Sequence, residues 1–350
     1  LEDYARCPYR YFVYRVLHAG PIEEGSDDLD PLTSGRLHHR VLEKFFVERR
    51  DRGALPLRGD PEEREHLLTV IDQVLVEFDE RERTGHPTLF RARLRRLRSD
   101  LLRLIAREAQ SPIEPGCQPA LLEHPFGPLR IAAQGDAGAD AVGDDALHIA
   151  GIIDRIDIGP GRALVLDYKT GQIKRYQDYL RTELLRTSFQ LPLYAAAVKA
   201  DPVVIARAGV DGESGAGALL VSARYYAVRQ AAVSAPLSDE GLFALSGAVR
   251  TTAAEHNVAE VAYRLWRRLR AGDFRVAPKT CEGCGLESVC RIGSAAVERQ
   301  LETAESSESE SSSRVSDSGR SSRQSAGWAS ARTPTGSGGP ADADGEAGAR

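Results

Sequence analysis

The stretch GIIDRIDIGPGRALVLDYKTG, Gly151 to Gly171, sets Asp154, Asp157, Asp167 and Lys169 among the most apolar residues of the chain. Its two runs of Ile, Leu and Val flank a Gly-Pro-Gly turn, a pattern that predicts a β-hairpin. On the second strand Asp167 and Lys169 are two apart and therefore share a face. Closure of the turn brings Asp154 within pairing distance of them. Buried charges need partners, so two carboxylates and an ammonium at an apolar sheet edge are costly as structure alone. A hard cation, Mg2+ or Mn2+, takes oxygen ligands and would resolve the carboxylate pair. The lysine could then orient or help deprotonate a metal-bound water, or neutralise charge building on a phosphate. That composition suits phosphodiester cleavage. The competing reading is an Asp167–Lys169 salt bridge with Asp154 in solvent, and the hairpin alone leaves both open. Asp157 reads as a turn residue or a partner of Arg155, with no catalytic part.

A second set of reactive side chains sits at the two ends. Cys281, Cys284 and Cys290 form a C-x2-C-x5-C array in CEGCGLESVC, one thiolate short of the four that zinc or an iron–sulfur cluster takes. Cys7, in ARCPYRYF, could supply the fourth and clamp the ends of the chain together. Closing so long a loop removes on the order of 4 kcal/mol or more of unfolded-chain entropy. Spacing does not choose between zinc and iron–sulfur. Cys117 reads as a small buried hydrophobe. With no secretory signal, a disulfide framework does not suit five cysteines in 350 residues.

The elements that must position these groups follow from periodicity. Residues 1–50 read as helical, broken by Pro21 and an acidic turn, with a helix starting near Gly35. Helical patterns continue over 61–109, where FRARLRRLRSDLLRLIAREA is arginine-rich on one side and leucine-rich on the other. That face is either a solvated helix surface or one that tracks phosphates. Residues 119–170 form the β section, with a Gly/Asp loop at 135–146. A helix over 176–200, a strand at ALLVSARYYAV and a helix over about 238–271 complete an α/β pattern. Beyond about 302 the chain is Ser, Gly, Ala, Asp and Glu, which cannot bury a core and reads as disordered.

Composition sets the outer limits. With 350 residues, 42% of them hydrophobic, the chain can bury a substantial core. The balance of 46 basic to 51 acidic residues, net −5, gives no overall basic field, although local patches matter more than the sum. Only five of the basic residues are lysines, which makes Lys169 conspicuous. No run of about 18 apolar residues exists to span a membrane, and the N-terminal residues lack the order of a signal peptide; a cytoplasmic location is expected. The sequence contains no Met, so a piece of a longer polypeptide is expected.

Several of these motifs together resemble the PD-(D/E)XK nuclease superfamily in its RecB/AddB C-terminal form. GIIDRID, VLDYKTG and QLPLY follow one another in that family's order. CPYRYFVYRVL resembles its Cys-Pro motif, SGRLHHRVLEKF its Gly-x-x-x-His helix, and AGDFRVAPKTCEGCGLESVCR its Phe-plus-cysteine ending. The likeness covers roughly residues 1–295. It implies a restriction-endonuclease-like α/β fold, a central mixed sheet flanked by helices, over 1–300. A helical insert at about 55–110 and a disordered tail over 301–350 go with it. It implies that Asp154, Asp167 and Lys169 are catalytic, that His39 contacts the metal with Asp154 and Asp167, and that His38 is the runner-up. Gln190 and Tyr194 match the Gln-x-x-x-Tyr motif, one helical turn apart, and join the catalytic set by supporting the lysine or contacting DNA. Glu123 matches an acidic position at a strand start. It also implies a [4Fe–4S] cluster on Cys7, Cys281, Cys284 and Cys290, with zinc the second choice.

The expected activity is Mg2+- or Mn2+-dependent cleavage of DNA, single-stranded or at duplex ends, in double-strand break repair and recombination. The family works with a superfamily I helicase; no Walker A motif is present here, so a helicase in cis on lost upstream sequence, or in trans, is expected. Two alternatives stand beside this: a catalytically silent DNA-end-binding module, against which the intact Asp, Asp-x-Lys set speaks, and a CRISPR-adaptation-type nuclease, whose chains are generally shorter.

Overall fold

A computed structural model describes residues 1–20, 31–79, 87–131, 146–210, 218–238, 257–281 and 283–290. The expected loop at 135–146 except its last residue, most of the first part of the expected helix over 238–271, and the tail over 301–350 lie outside the described residues. In chain order the elements are α1 (Glu2–Arg6), α2 (Pro8–Tyr11), α3 (Pro31–Asp51), α4 (Pro61–Asp79), α5 (Pro87–Gln110), β1 (Gln118–Ile131), β2 (Leu147–Gly159) and β3 (Arg162–Lys169). Then follow α6 (Ile173–Asp178), α7 (Gln190–Lys199), α8 (Pro202–Arg207), β4 (Leu220–Ala227), β5 (Ala232–Val233), α9 (Val258–Arg270) and α10 (Glu287–Cys290). Helix α2 runs on into a wider turn over Phe12–Val16.

The five strands form one mixed sheet in the order β1-β2-β3-β4-β5, with β3 and β4 parallel and every other pair antiparallel. A parallel pair requires a crossover, and α6, α7 and α8 provide it. The predicted hairpin is β2–β3, with Gly159 paired to Arg162 across Pro160 and Gly161. Pro then Gly at the two central positions, with Gly161 at φ +68°, is what a type II turn requires. At Gly159 a side chain is excluded, since a Cβ there would lie 2.3 Å from the Gly116 carbonyl oxygen.

Helices cover both faces of the sheet, the restriction-endonuclease-like arrangement of a mixed sheet between helical layers. On one side Ile153, Ile156, Ala163, Val165 and Ala223 pack on α7, α8 and α9. On the other, Leu164, Leu166, Tyr168 and Tyr226 pack on α3, α4 and α5 through Phe45, Phe46, Leu67, Ile71, Leu101 and Leu104. Central strand β3 alternates its apolar residues between the two cores, which explains its unbroken Ala163–Leu166 run. The same alternation turns Asp167 and Lys169 toward the α7 layer and Tyr168 toward the α3 layer.

Two elements differ from the periodicity. Helix α3 begins at Pro31 rather than near Gly35; Gly35 is a helix residue with open space where a Cβ would sit. The expected helix over 176–200 is two helices, since the chain leaves helical form at Leu184 and passes through Leu185 at φ +57°. That break makes Gln190 the first residue of α7.

Candidate active site

The site is built where three strands and two helices meet. Arg155 pairs with Leu166 at the open end of the hairpin ladder, and one residue further on Asp154 and Asp167 face each other. On the other edge of β2, Leu122 pairs with Arg155 and His124 with Ile153, so Glu123 stands opposite Asp154. Glu123 adopts φ +42° within its strand, a left-handed conformation that costs a non-glycine residue about 1–3 kcal/mol and that collects at functional sites. From α3, His39 completes the group: its Nδ1 lies 3.4 Å from Asp154 Oδ1 and 3.9 Å from Glu123 Oε1. Among the described residues, His39, Glu123 and Asp154 are the one set of three whose ligand atoms all lie within 4.8 Å of one another.

The backbone of Tyr168 fixes this set from below. Its N–H donates to Asp154 Oδ2 at 2.7 Å, and its carbonyl oxygen accepts from His39 Nε2 at 3.2 Å. With Nε2 committed as a donor, Nδ1 is the nitrogen turned to the carboxylates, which is how a carbonyl commonly orients a metal-binding imidazole. His38, the neighbour, turns the other way: its Nδ1 meets the Ser34 carbonyl oxygen at 2.7 Å and the ring is buried.

The lysine stands beside the second carboxylate. Lys169 Nζ is 2.5 Å from Asp167 Oδ2 and donates to Gln190 Oε1 at 3.0 Å. The contact with Asp167 is a close ion pair, with the carboxylate buried and the ammonium partly exposed. Gln190 in turn donates from Nε2 to Tyr194 Oη at 3.0 Å, which holds the amide oxygen toward the lysine. Below the ammonium lies the Tyr225 ring, with Nζ 5.6 Å from its centroid.

The electrostatics show a site crowded with negative charge. Burial raises the Asp167 carboxyl to about 6 and the nearby Asp154 adds to this, outweighing the Lys169 ammonium. Lys169 is nonetheless held well above its ordinary value, because Asp167 overcomes the effect of burial. The two shifts are consistent, since Asp167 is almost fully buried and answers to two neighbours of opposite sign. Burial and Asp154 likewise raise Glu123. On His39 burial acts downward, but Asp154, Asp167 and Glu123 together raise its pKa. Burial pushes the Tyr194 hydroxyl up to about 12, so it stays protonated. Two carboxylates and an imidazole with ligand atoms within 4.8 Å of one another, Asp154, Glu123 and His39, are a donor set that fits a hard divalent cation.

The structure thus brings together Asp154, Asp167, Lys169, Gln190, Tyr194 and His39. It adds Glu123, whose sequence signal was the weakest, and Tyr225, for which the sequence gives no signal. Asp157 has a different partner: it takes Arg155 in two hydrogen bonds, at 2.6 and 2.8 Å. The five cysteines are thiols outside any disulfide, Cys7 and Cys117 buried and Cys281, Cys284 and Cys290 half-buried. Their segments do meet, since Tyr14 Oη donates to the Cys284 carbonyl oxygen at 2.5 Å and the Lys279 N–H to that of Arg6 at 2.7 Å.

Comparison with known proteins agrees with the geometry. No curated protein matches the chain. The model of the PD-(D/E)XK nuclease superfamily matches residues 1–291, a span that contains every element of the sheet and every residue of the site. With the Asp, Asp-x-Lys hairpin, its supporting histidine and a family match over most of its length, the chain belongs to the PD-(D/E)XK nuclease superfamily.

Proposed function

We propose that the protein is a metal-dependent DNA nuclease of the helicase-associated type, which hydrolyses phosphodiester bonds during the processing of broken DNA ends. One observation carries the reading: the His39, Glu123 and Asp154 ligand set stands beside an Asp167–Lys169 pair whose lysine is aimed by Gln190. Asp154, Asp167, Glu123 and His39 would hold Mg2+ or Mn2+. Such an ion acidifies a bound water and stabilises charge on phosphoryl oxygens. Lys169, kept protonated by Asp167, orients the attacking water and neutralises charge building on the phosphate. Gln190 fixes the direction of the ammonium, and Tyr194 fixes Gln190.

The helicase link rests on resemblance alone, to proteins in which this nuclease accompanies a superfamily I motor. A [4Fe–4S] cluster on Cys7, Cys281, Cys284 and Cys290 rests on the same resemblance. The cluster and the nuclease activity are tested in one preparation. The protein is purified without oxygen, its visible spectrum and its iron, sulfide and zinc contents are recorded, and Mg2+-dependent cleavage of labelled single-stranded DNA is measured beside Lys169→Ala. Absorbance at ~400 nm, as iron–thiolate centres give, with cleavage lost in the variant, supports both the cluster and the nuclease. A colourless zinc protein that cleaves overturns the cluster and keeps the nuclease. A protein that binds DNA and never cuts overturns the nuclease.

A further inference from the structure

Helix α7 carries Gln190 and Tyr194, yet it starts without a cap of its own. Its N-cap residue is Phe189, whose side chain accepts no hydrogen bond, although the first N–H groups of a helix need acceptors. The acceptor comes from the far end of the chain. Glu2 Oε1 takes the Phe189 N–H at 2.7 Å and the Gln190 N–H at 3.1 Å. The residue whose backbone Glu2 holds is the one whose side chain holds Lys169 Nζ at 3.0 Å.

Glu2 is itself anchored. Its helix, α1, buries Tyr4 and Ala5, and Tyr4 Oη donates to the Asp273 carbonyl oxygen at 2.7 Å. The Arg6 carbonyl oxygen accepts from the Lys279 N–H, and Phe12 lies against Phe274 with ring centroids 4.9 Å apart. A carboxylate at the start of a helix also meets the positive end of its dipole. Nothing else in α1 reaches α7 by hydrogen bond among the described residues.

We infer that Glu2 is a positioning residue for the cleavage reaction: by capping α7 it fixes Gln190, and through Gln190 it aims the Lys169 ammonium. This rests on the nuclease reading above. Catalysis is sensitive to displacements of an ångström in a positioned group, and loss of the cap frees the first turn of α7, where Gln190 sits.

The test uses the full chain with Glu2→Ala, Glu2→Gln and Glu2→Asp, alone and with Gln190→Ala. Glu2→Ala is expected to lower kcat on single-stranded DNA roughly 10- to 100-fold with KM unchanged. Glu2→Gln restores most of it, because an amide oxygen accepts the same two N–H groups. In the Gln190→Ala background Glu2→Ala adds no further loss, as residues acting through one another are not additive. Should Glu2→Ala fail to fold, Glu2→Asp, which keeps the charge but falls short of α7, takes its place with the same expectation. An unchanged kcat, or a full additional loss in the Gln190→Ala background, overturns the inference and leaves the nuclease reading standing. If the wild-type chain cuts no DNA, the nuclease reading falls with the catalytic part of the inference. Amide exchange then decides the link: Phe189 and Gln190 exchanging faster in Glu2→Ala upholds it, and unchanged exchange overturns it.

Discussion

At the scale of single residues the site is a problem in charge. Asp167 holds its proton to about pH 6 in the folded chain, above the ordinary 3.8, because burial and Asp154 disfavour its anion. A carboxyl raised in the folded state contributes stability at low pH that is lost as pH climbs from about 4 to about 6. His39, also raised, acts in the same sense: its contribution is present below its ordinary 6.5 and is lost as pH rises past the folded value. The metal-free protein is therefore expected to melt at a lower temperature at pH 7 than at pH 5, and the difference shrinks in Asp167→Asn. A divalent cation competes with those protons, so Mg2+ should raise Tm more at pH 7 than at pH 5, by ligand linkage; scanning calorimetry at the two pH values checks both. Lys169→Ala is expected to cost roughly 10²- to 10³-fold in kcat, as loss of a transition-state charge partner does, while the stabilisation by Mg2+ persists. Single-turnover cleavage and melting curves with Mg2+ separate the two.

At the scale of elements, the catalytic hairpin is locked to the helical layer by a buried arginine. Arg155 donates to both oxygens of Glu108 at 2.9 Å, to both of Asp157, and to Tyr168 Oη at 3.2 Å. Its guanidinium carbon sits 4.3 Å from the Phe46 ring centroid. This ties α5 and α3 to β2 and β3 on the face opposite Asp154. Tyr168 is the hinge of the arrangement, because its hydroxyl belongs to the arginine cluster and its backbone holds Asp154 and His39. Breaking one partner of a buried pair strands the others. Arg155→Leu is therefore expected to lose about 3–5 kcal/mol in urea unfolding, with part of the loss recovered when Glu108→Leu removes one stranded carboxylate.

At the scale of the molecule, residues 1–16 are tied to residues 273–284 across most of the described sequence. Tyr4 and Tyr14 each donate to a carbonyl oxygen about 270 positions away, on Asp273 and Cys284. Net hydrogen bonds of this kind contribute about 1 kcal/mol each. Tyr4→Phe with Tyr14→Phe should therefore lower stability by about 2 kcal/mol and speed amide exchange over residues 1–16. Slower change there than in the central strands would count against the clamp. No helix among the described residues is long and apolar enough to cross a membrane.

What the sequence determined by itself was the local chemistry. Period-two alternation in a short strand puts Asp167 and Lys169 on one face, and a Pro-Gly turn closes the hairpin on Asp154; these follow from covalent geometry and need no distant contact. Helical spacing likewise joins Gln190 to Tyr194 within one turn. The helices over 61–109 were legible because their leucines recur at helical spacing. Only the tertiary structure could decide the rest, since it depends on elements far apart in sequence. Glu123 reaches Asp154 through the register of β1 on β2, and a shift of one residue would turn it to the other face. Between two adjacent histidines, of which the resemblance already favoured His39, the rotation of α3 on the sheet turns His39 to the carboxylates and buries His38. The break after Glu183, invisible to periodicity, makes Gln190 a helix N-terminus, and the cap it then needs comes from Glu2, which no local pattern connects to it. Local stereochemistry is written every few residues; packing across the chain is settled only when the whole core forms.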